Sequence, residues 1–323
     1  MVIKWGVLGT ANIAKGCIIP GMKGASNCEL YAISGRDENK VKSFQQEFGF
    51  KKAYVGYDKL LEDPDIQAVY IPLPNNLHKE WVIKALKAGK NVLCEKPLAL
   101  NAEDAKEMFA VAKENNVILM EAYAYQHSPY IAALKEDIKS GIIGDIDYIE
   151  TAFLTQGYVE DIRIHKETGG GAVYDLGCYC TTMILSLTDS EPEYVKADAE
   201  FNDNGVDVFT QAIMKMKNGV RAAFTVGMLF SREWDSRKDR LYIHGSKGII
   251  DSKVEYNQAG ELCYTISVDG KETLRKVMAK QNYTLETEQL GRCIEGGEKP
   301  FVSPEFSIKN ARVIDKVLEQ IGY

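Results

Sequence analysis

Short apolar runs alternate with amphipathic stretches from the beginning of the chain. Ile3–Leu8 (IKWGVL) is a β-type run, and a helical stretch from Asn12 to about Lys23 follows it. A second run, Glu29–Ser34 (ELYAIS), precedes a helix beginning at Glu38, and Tyr57–Asp63 (YDKLLED) is a short amphipathic helix. Strand Ala68–Ile71 leads into a helix over Leu77–Ala88, where Gly89 is a C-cap signal. Val92, Leu93 and Cys94 form another buried run, and the helix Ala102–Asn115 and strand Val117–Glu121 continue the series. Strands that alternate with helices predict a doubly wound parallel sheet.

Past Glu121 the pattern changes. Residues 122–129 (AYAYQHSP) read as a linker-like crossing, followed by an amphipathic helix to about Ser140. Strands then dominate: Asp147–Thr155, Glu193–Phe201, Val206–Lys215, Val220–Phe230, Arg240–His244 and Leu262–Val268. Asn218-Gly219 and Asp269-Gly270 stand between such runs as hairpin signals. Helices over Thr284–Glu295 and Ser307–Gln320 close the chain. The pattern predicts an α/β domain over 1–122 and an α+β domain with a largely antiparallel sheet over 123–323.

Two domains agree with a length of 323 residues. The balance of 46 acids against 39 bases gives a net charge of -7, which argues against a nucleic-acid surface. No run approaches the length of a membrane span, and the chain enters a strand pattern at once, without a signal peptide. Seven scattered cysteines, mostly in apolar patterns, read as buried thiols of a reducing cytoplasm. Cys178 and Cys180 lack a second ligand pair at metal spacing, so no metal site is expected.

Candidate chemistry gathers where the first-half strands end. Gly9-Thr10-Ala11-Asn12-Ile13-Ala14 fits the dinucleotide fingerprint with alanine in its second and third glycine places. The helix that follows offers its N-terminus to phosphate. The tip of the second strand carries Ser34 and Arg36, a hydroxyl and a guanidinium suited to a 2′-phosphate, which favours NADP over NAD. Asp37 could either cap the next helix or reach the ribose. Asn91–Leu100 (NVLCEKPLAL) delivers Glu95, Lys96 and Pro97 beyond an apolar strand, at the edge where such sheets collect ligands. Taken alone, Glu-Lys-Pro is more often an ordinary solvated pair after a strand, and it is the surrounding motifs that turn the reading toward a ligand. The loop Pro72–His78 (PLPNNLH) faces the same edge, with His78 in a supporting role. Further on, three glycines (169–171) open a helix from about Ala172, and Asp175 and Tyr179 stand four apart on one face. A carboxylate beside a phenol is a proton-handling pair if it is turned toward a ligand; otherwise the Asp pairs with a neighbour. Arg163 upstream adds a cation for a phosphate or sugar hydroxyls.

Five of these stretches, WGVLGTANIA, YIPLPNNLHKEW, AGKNVLCEKPL, EAYAYQHSP and GGGAVYDLGCY, agree in content, order and spacing with one family. The chain resembles the glucose–fructose oxidoreductase / inositol dehydrogenase / MocA family over nearly its whole length. GTANIA and DLGCY look most like the branch of dihydrodiol and NADP-dependent xylose dehydrogenases. The resemblance implies a Rossmann domain followed by an open-faced sheet domain, often used for dimer contacts. It makes Lys96 the catalytic lysine and Asp175 the substrate-orienting aspartate. Tyr179 stands where many sugar and inositol dehydrogenases have histidine. Gly9, Thr10, Ala11, Asn12, Ile13, Ser34, Arg36, Leu73, Asn75, His78, Glu95 and Lys96 match cofactor-lining positions; Arg163 is added to the cofactor-binding candidates on its charge alone. Ala124 and Gln126 replace the more usual methionine and arginine, a departure that bears on substrate identity.

The expected activity is reversible hydride transfer between NADP(H), or NAD(H), and the carbinol carbon of a sugar, polyol or vicinal diol. Tyr179 or Lys96 takes the hydroxyl proton. The rival readings are redox-neutral, NAD-dependent glycoside cleavage and a non-catalytic sugar- or nucleotide-sensing regulator. Expected partners are a small carbohydrate or diol and further copies of the chain, as a homodimer or homotetramer, with no nucleic acid and no membrane.

Overall fold

The computed structural model describes residues 2–158, 160–230, 237–253, 256 and 259–323. Contacts divide the chain into two units, Met1–His127 with Lys280–Ile308, and Ser128–Ala279 with Lys309–Tyr323. The segment returning at Lys280 thus packs with the first unit, although the periodicity reading leaves it with the second domain.

The first unit runs β1 (Ile3–Leu8), α1 (Ile19–Gly24), β2 (Cys28–Gly35), α2 (Glu38–Phe48), β3 (Lys52–Val55) and α3 (Tyr57–Leu61). It continues through β4 (Ala68–Ile71), α4 (His78–Lys87), β5 (Asn91–Glu95), α5 (Ala102–Glu114) and β6 (Leu119–Ala122). The strands form a parallel sheet in the order β3-β2-β1-β4-β5-β6. Helices cover both faces of such a sheet, which is why its central strands are continuous apolar runs. Trp5, Val7, Tyr70 and Leu93 are fully buried among them. All six carboxyl ends share one edge, and the order reverses between β1 and β4, where such folds take ligands.

Three features depart from the periodicity. β3 escapes it because this edge strand is four residues long, begins with a lysine and has half-exposed positions instead of an apolar run. The first helix opens as a π-helix over Ala14–Ile18 before α1. Pro20, which has no N–H to offer the helix ladder, lies at that junction, and the wider turn accommodates it. The supposed linker is buried: Tyr123 and Tyr125 are within 2% of full burial and pack edge to face, 6.4 Å apart.

The second unit contains α6 (Pro129–Lys139), β7 (Ile146–Gln156), α7 (Cys178–Thr188), β8 (Pro192–Phe201), β9 (Asp207–Met216) and β10 (Arg221–Phe230). Then come β11 (Lys238–Gly245), β12 (Gly248–Ser252), β13 (Gly260–Val268) and β14 (Lys271–Ala279). α8 (Asn282–Ile294) belongs to the first unit, and α9 (Pro304–Ile321) closes the chain. The eight strands are ordered β14-β13-β12-β11-β7-β10-β9-β8, antiparallel throughout except for β7 with β10. Asp269 and Gly270 both take positive φ, 51° and 72°, as a two-residue hairpin turn requires. β12 is short and β14 is a charged edge, so neither carries the apolar alternation of its neighbours. Nearly every residue of α7 is buried, so that helix lies inside the unit.

α8 explains its own attachment. Thr284 Oγ1 donates to the Gly21 carbonyl at 2.8 Å, and a Cβ at Gly21 would lie 2.6 Å from Tyr283 Cβ. Only a glycine in α1 admits this approach.

Candidate active site

In the first unit the chain leaves β1 through Gly9, at φ +133°. A side chain there would be strained, and its Cβ would lie 3.3 Å from Leu73 Cδ2. Gly9 N–H donates to the Ser34 carbonyl at 2.9 Å, which ties the turn to β2. Lys15 N–H donates to the Ala11 carbonyl at 3.1 Å, so the helix ladder begins there, and Asn12, Ile13 and Ala14 supply first-turn amides. Thr10, Ala11 and Ile13 are half-buried and Asn12 is exposed. A left-handed glycine and first-turn amides at the point where strand order reverses fit the pyrophosphate of a dinucleotide.

At the tip of β2 the polar groups separate. Ser34 is fully buried, and its hydroxyl donates to the Val7 carbonyl at 3.4 Å, so its side chain points inward. Asp37 caps α2: its Oδ1 accepts from the amides of Asn39 (2.9 Å) and Lys40 (3.1 Å). Arg36 is exposed. Asp37 is exposed as well, with its Oδ1 engaged in the cap, so the guanidinium and the acid share this tip while the hydroxyl is turned inward.

Glu95 ends β5 and accepts the Tyr70 hydroxyl at 2.5 Å. Lys96 follows half-buried, joined to Pro97 by a cis peptide. His78 is completely buried, with Nδ1 2.8 Å from the Pro97 carbonyl and Nε2 2.8 Å from the Leu73 carbonyl. It braces the Pro72–Asn75 loop against the Lys96 turn. Two carbonyl acceptors favour a doubly protonated ring. Burial opposes this most strongly and the Lys96 ammonium adds to the opposition, so the imidazole pKa is lowered. Leu73 is buried and Asn75 is half-buried, at the start of a single 3-10 turn. Two buried carboxyl groups not singled out by the spacing stand close by. Glu121 in β6 accepts Leu98 N–H at 2.8 Å. Glu286 in α8 is fully buried, and burial, then Glu95, pushes its carboxyl well above the usual range.

In the second unit the glycine triplet is needed for close approach. Gly171 takes φ +118°, and a Cβ there would run into Asp207 Oδ1. The helix beyond it starts with a π-helix over Val173–Gly177 and passes into α7. Asp175 and Tyr179 are therefore related through a wider turn than the α-helical spacing assumed. Arg163 Nε donates to Asp175 Oδ2 at 2.8 Å and Nη1 to Asp161 Oδ1 at 3.0 Å, while its guanidinium lies 5.3 Å from the centre of the Tyr158 ring. The Coulombic pull of Asp175 is the largest of the influences that hold Arg163 well above its ordinary range. Arg163 thus serves Asp175 here. Tyr179 is buried in an aromatic cluster, its ring 5.6 Å from Phe153 and 5.1 Å from Tyr256. Arg237 lies 4.7 Å over Phe153 and forks onto Asp239. Phe153, Tyr256 and Arg237 come from separated strands and loops, and no spacing in the sequence marks them.

Residues 3–123 match the model of an oxidoreductase family with an NAD-binding Rossmann fold, and residues 131–251 match the GFO/IDH/MocA C-terminal domain. The chain belongs to the GFO/IDH/MocA oxidoreductase family. It is similar to trans-1,2-dihydrobenzene-1,2-diol dehydrogenase of Xenopus laevis, 33% identical over 100% of this chain and 99% of the relative. It is also similar to D-xylose 1-dehydrogenase (NADP(+)) 2 of Haloferax volcanii, 31% identical over 98% and 97% of the two chains. Among solved structures it resembles KijD10, a 3-ketoreductase of Actinomadura kijaniata crystallised with NADP and TDP-benzene. There the TM-score is 0.93 and the identity 29%, over 99% of this chain and 98% of the other. This GFO/IDH/MocA member is an NAD(P)-dependent dehydrogenase or reductase acting on CH–OH groups. No helix among the described residues is long and apolar enough to cross a membrane.

Proposed function

We propose that the enzyme catalyses reversible hydride transfer between NADP(H) and a hydroxyl carbon of a sugar, polyol or vicinal diol. The first unit holds the dinucleotide and the second the substrate. The observation that carries this reading is the Asp175 carboxylate, fixed by Arg163 two residues into the π-turn that leads to Tyr179. An acceptor and a phenol suit a hydroxylated substrate, and the names of the full-length relatives support diols and xylose.

Gly9, Thr10, Ala11, Asn12 and Ile13 receive the pyrophosphate, Leu73, Asn75 and Glu95 line the cofactor, and Arg36 pairs with a 2′-phosphate. The bound nicotinamide supplies a two-electron acceptor or donor of hydride at C4. Lys96 or Tyr179 takes the hydroxyl proton during oxidation. An ordinary lysine, near pKa ~10.4, is a poor base at neutral pH, and desolvation lowers it toward a useful range. Asp175 orients the substrate hydroxyl, and His78 holds the Lys96 turn in place.

The test mixes pure protein with NADP or NAD and a panel of aldoses, polyols and cyclic diols, and follows absorbance of the reduced nicotinamide. A rise with one substrate class and a preference for NADP is expected. Arg36→Ala should weaken NADP by roughly tenfold or more and leave NAD nearly unchanged, the worth of a charge-assisted contact. Equal losses with both cofactors overturn the Arg36 assignment. Substrate consumption without cofactor reduction overturns net hydride transfer in favour of redox-neutral cleavage.

A homodimer or homotetramer completes the reading. Leu274, Thr265, Asp251, Tyr242, Glu150, Ala223 and Ile213 are cross-strand partners in turn, so they form one row on one face of the large sheet. Leu274 and Ile213 are 55% and 58% exposed in the single chain, and Met278 on the same face is 69% exposed. Apolar groups spread over an open sheet face favour burial against a second copy. A light-scattering mass near the 36.0 kDa of one chain would overturn it. Seven free thiols agree with a reducing cytoplasm; fractionation that recovers the enzyme elsewhere would exclude that location.

A further inference from the structure

Glu121 is 3% exposed, and its place is set by the sheet. It pairs with Cys94 in the β5–β6 register, so it stands beside the strand end from which Lys96 emerges. Its Oε1 accepts Leu98 N–H at 2.8 Å, which fixes the backbone two residues beyond Lys96. Its Oε2 has no hydrogen-bond partner among the described residues. Groups facing it come from three directions: the Lys96 ammonium and the Cys94 thiol from β5 and its turn, the Tyr123 hydroxyl beyond β6, and Ser307 from the returning segment. Lys96 in turn faces His78, which is braced by two carbonyls, while Glu95 accepts the Tyr70 hydroxyl.

We propose that Glu121 is a positioning residue that shapes the Lys96 turn through the Leu98 amide and, when ionised, holds the Lys96 ammonium charged. The inference rests on the reading of Lys96 as the catalytic lysine only for its consequence in turnover. A carboxylate this deeply buried is costly unless a cation answers it. Burial pushes Glu121 up to about 7, against the pull of Ser307, the Leu98 amide, Tyr123 and Lys96. Glu121 thus exchanges its proton close to neutral pH, where the lysine must pass between holding and releasing its own. Two groups that interact by more than about one unit titrate as a pair, and that coupling is what the test reads.

Glu121→Gln keeps an acceptor for Leu98 N–H and removes the charge, whereas Glu121→Asp keeps the charge. Competitive acetylation across pH, read at the Lys96 peptide by mass spectrometry, follows the amine itself without substrate. In Glu121→Gln the Lys96 titration is expected about one unit lower, the low end for removing an opposite charge that acts on the ammonium. The rise of kcat/KM for alcohol oxidation with pH should move by the same amount. Glu121→Asp should stay near wild type in both. A Glu121→Gln labelling curve that superimposes on wild type overturns the proposal. A shifted labelling curve with an unmoved kcat/KM profile upholds the Glu121–Lys96 coupling and instead removes Lys96 from the catalytic role. If Glu121→Gln does not fold, the wild-type labelling curve decides. A second inflection near neutral pH supports the coupling, and a single-step curve overturns it.

Discussion

The Lys96 turn and the Asp175–Tyr179 helix are built on opposite electrostatic plans. Around Lys96 the acids Glu121 and Glu286 and the imidazole of His78 lie in the interior, and burial is the leading influence on each of their proton affinities. Around Asp175 a half-exposed guanidinium binds two carboxylates in the open form of an ion-pair chain. Interior groups respond to one another strongly because little water screens them. The Arg163 chain is partly open to water, which screens it more than the interior groups, and it fixes the Asp175 carboxylate in place. The first plan suits a group that must change its proton, and the second suits one that must hold still.

That contrast can be broken by two substitutions. Lys96→Met should fold and bind NADP as wild type does while turnover falls by about 10²–10⁴, the range for losing a positioned proton carrier. Near-normal turnover would sink the lysine assignment. Asp175→Asn should lose roughly a hundredfold in kcat/KM through misplacement. Because it unties Arg163 Nε from a charged partner, it should show a larger rise in KM than Lys96→Met. Steady-state kinetics of the pair, with calorimetric melting as a control for folding, read both. If Asp175→Asn leaves KM alone and flattens the pH profile, the two regions exchange roles.

Much of this is legible in the sequence. Parallel strands buried on both faces announce themselves as apolar runs, and strand ends place Gly9, Glu95 and Lys96 on one edge as a matter of topology. Turn chemistry did the same for Asp269-Gly270. What stayed hidden has physical causes. The charged edges β3 and β14 lack the alternation that marks a half-buried strand. The π-turns at Ala14–Ile18 and Val173–Gly177 obey no simple repeat, so the phase between Asp175 and Tyr179 could not be read from their spacing. Ser34 looked like a ligand because strand ends usually face solvent, yet its backbone neighbours seal it against Val7. The sequence does not single out Glu121 or Asp207, since a carboxylate in a strand pattern gives no sign of burial until its neighbours are known.

Asp207 carries the interior plan into the second unit and tests the contrast at its weakest point. It is fully buried, and its Oδ2 accepts Val173 N–H at 2.9 Å and the Thr210 hydroxyl at 2.8 Å, capping the helix that bears Asp175. Burial pushes it up to about 7, more strongly than those donors hold it down. Unfolded, the same group titrates near ~3.9. Between these values the native chain binds a proton that the unfolded chain does not. The resulting stabilisation is complete below about pH 4 and disappears as pH rises through about 7. Asp207→Asn removes this dependence while keeping an oxygen for Val173. The difference in unfolding free energy between wild type and variant should therefore shift against wild type by roughly 2–4 kcal/mol across that window and then stay level. Other buried acids, Glu121 among them, act in both proteins and cancel in the difference. Urea midpoints measured in parallel through the window give the answer. Two curves that keep a constant separation would mean that Asp207 is ionised throughout, and that the second unit holds its helix by charge alone.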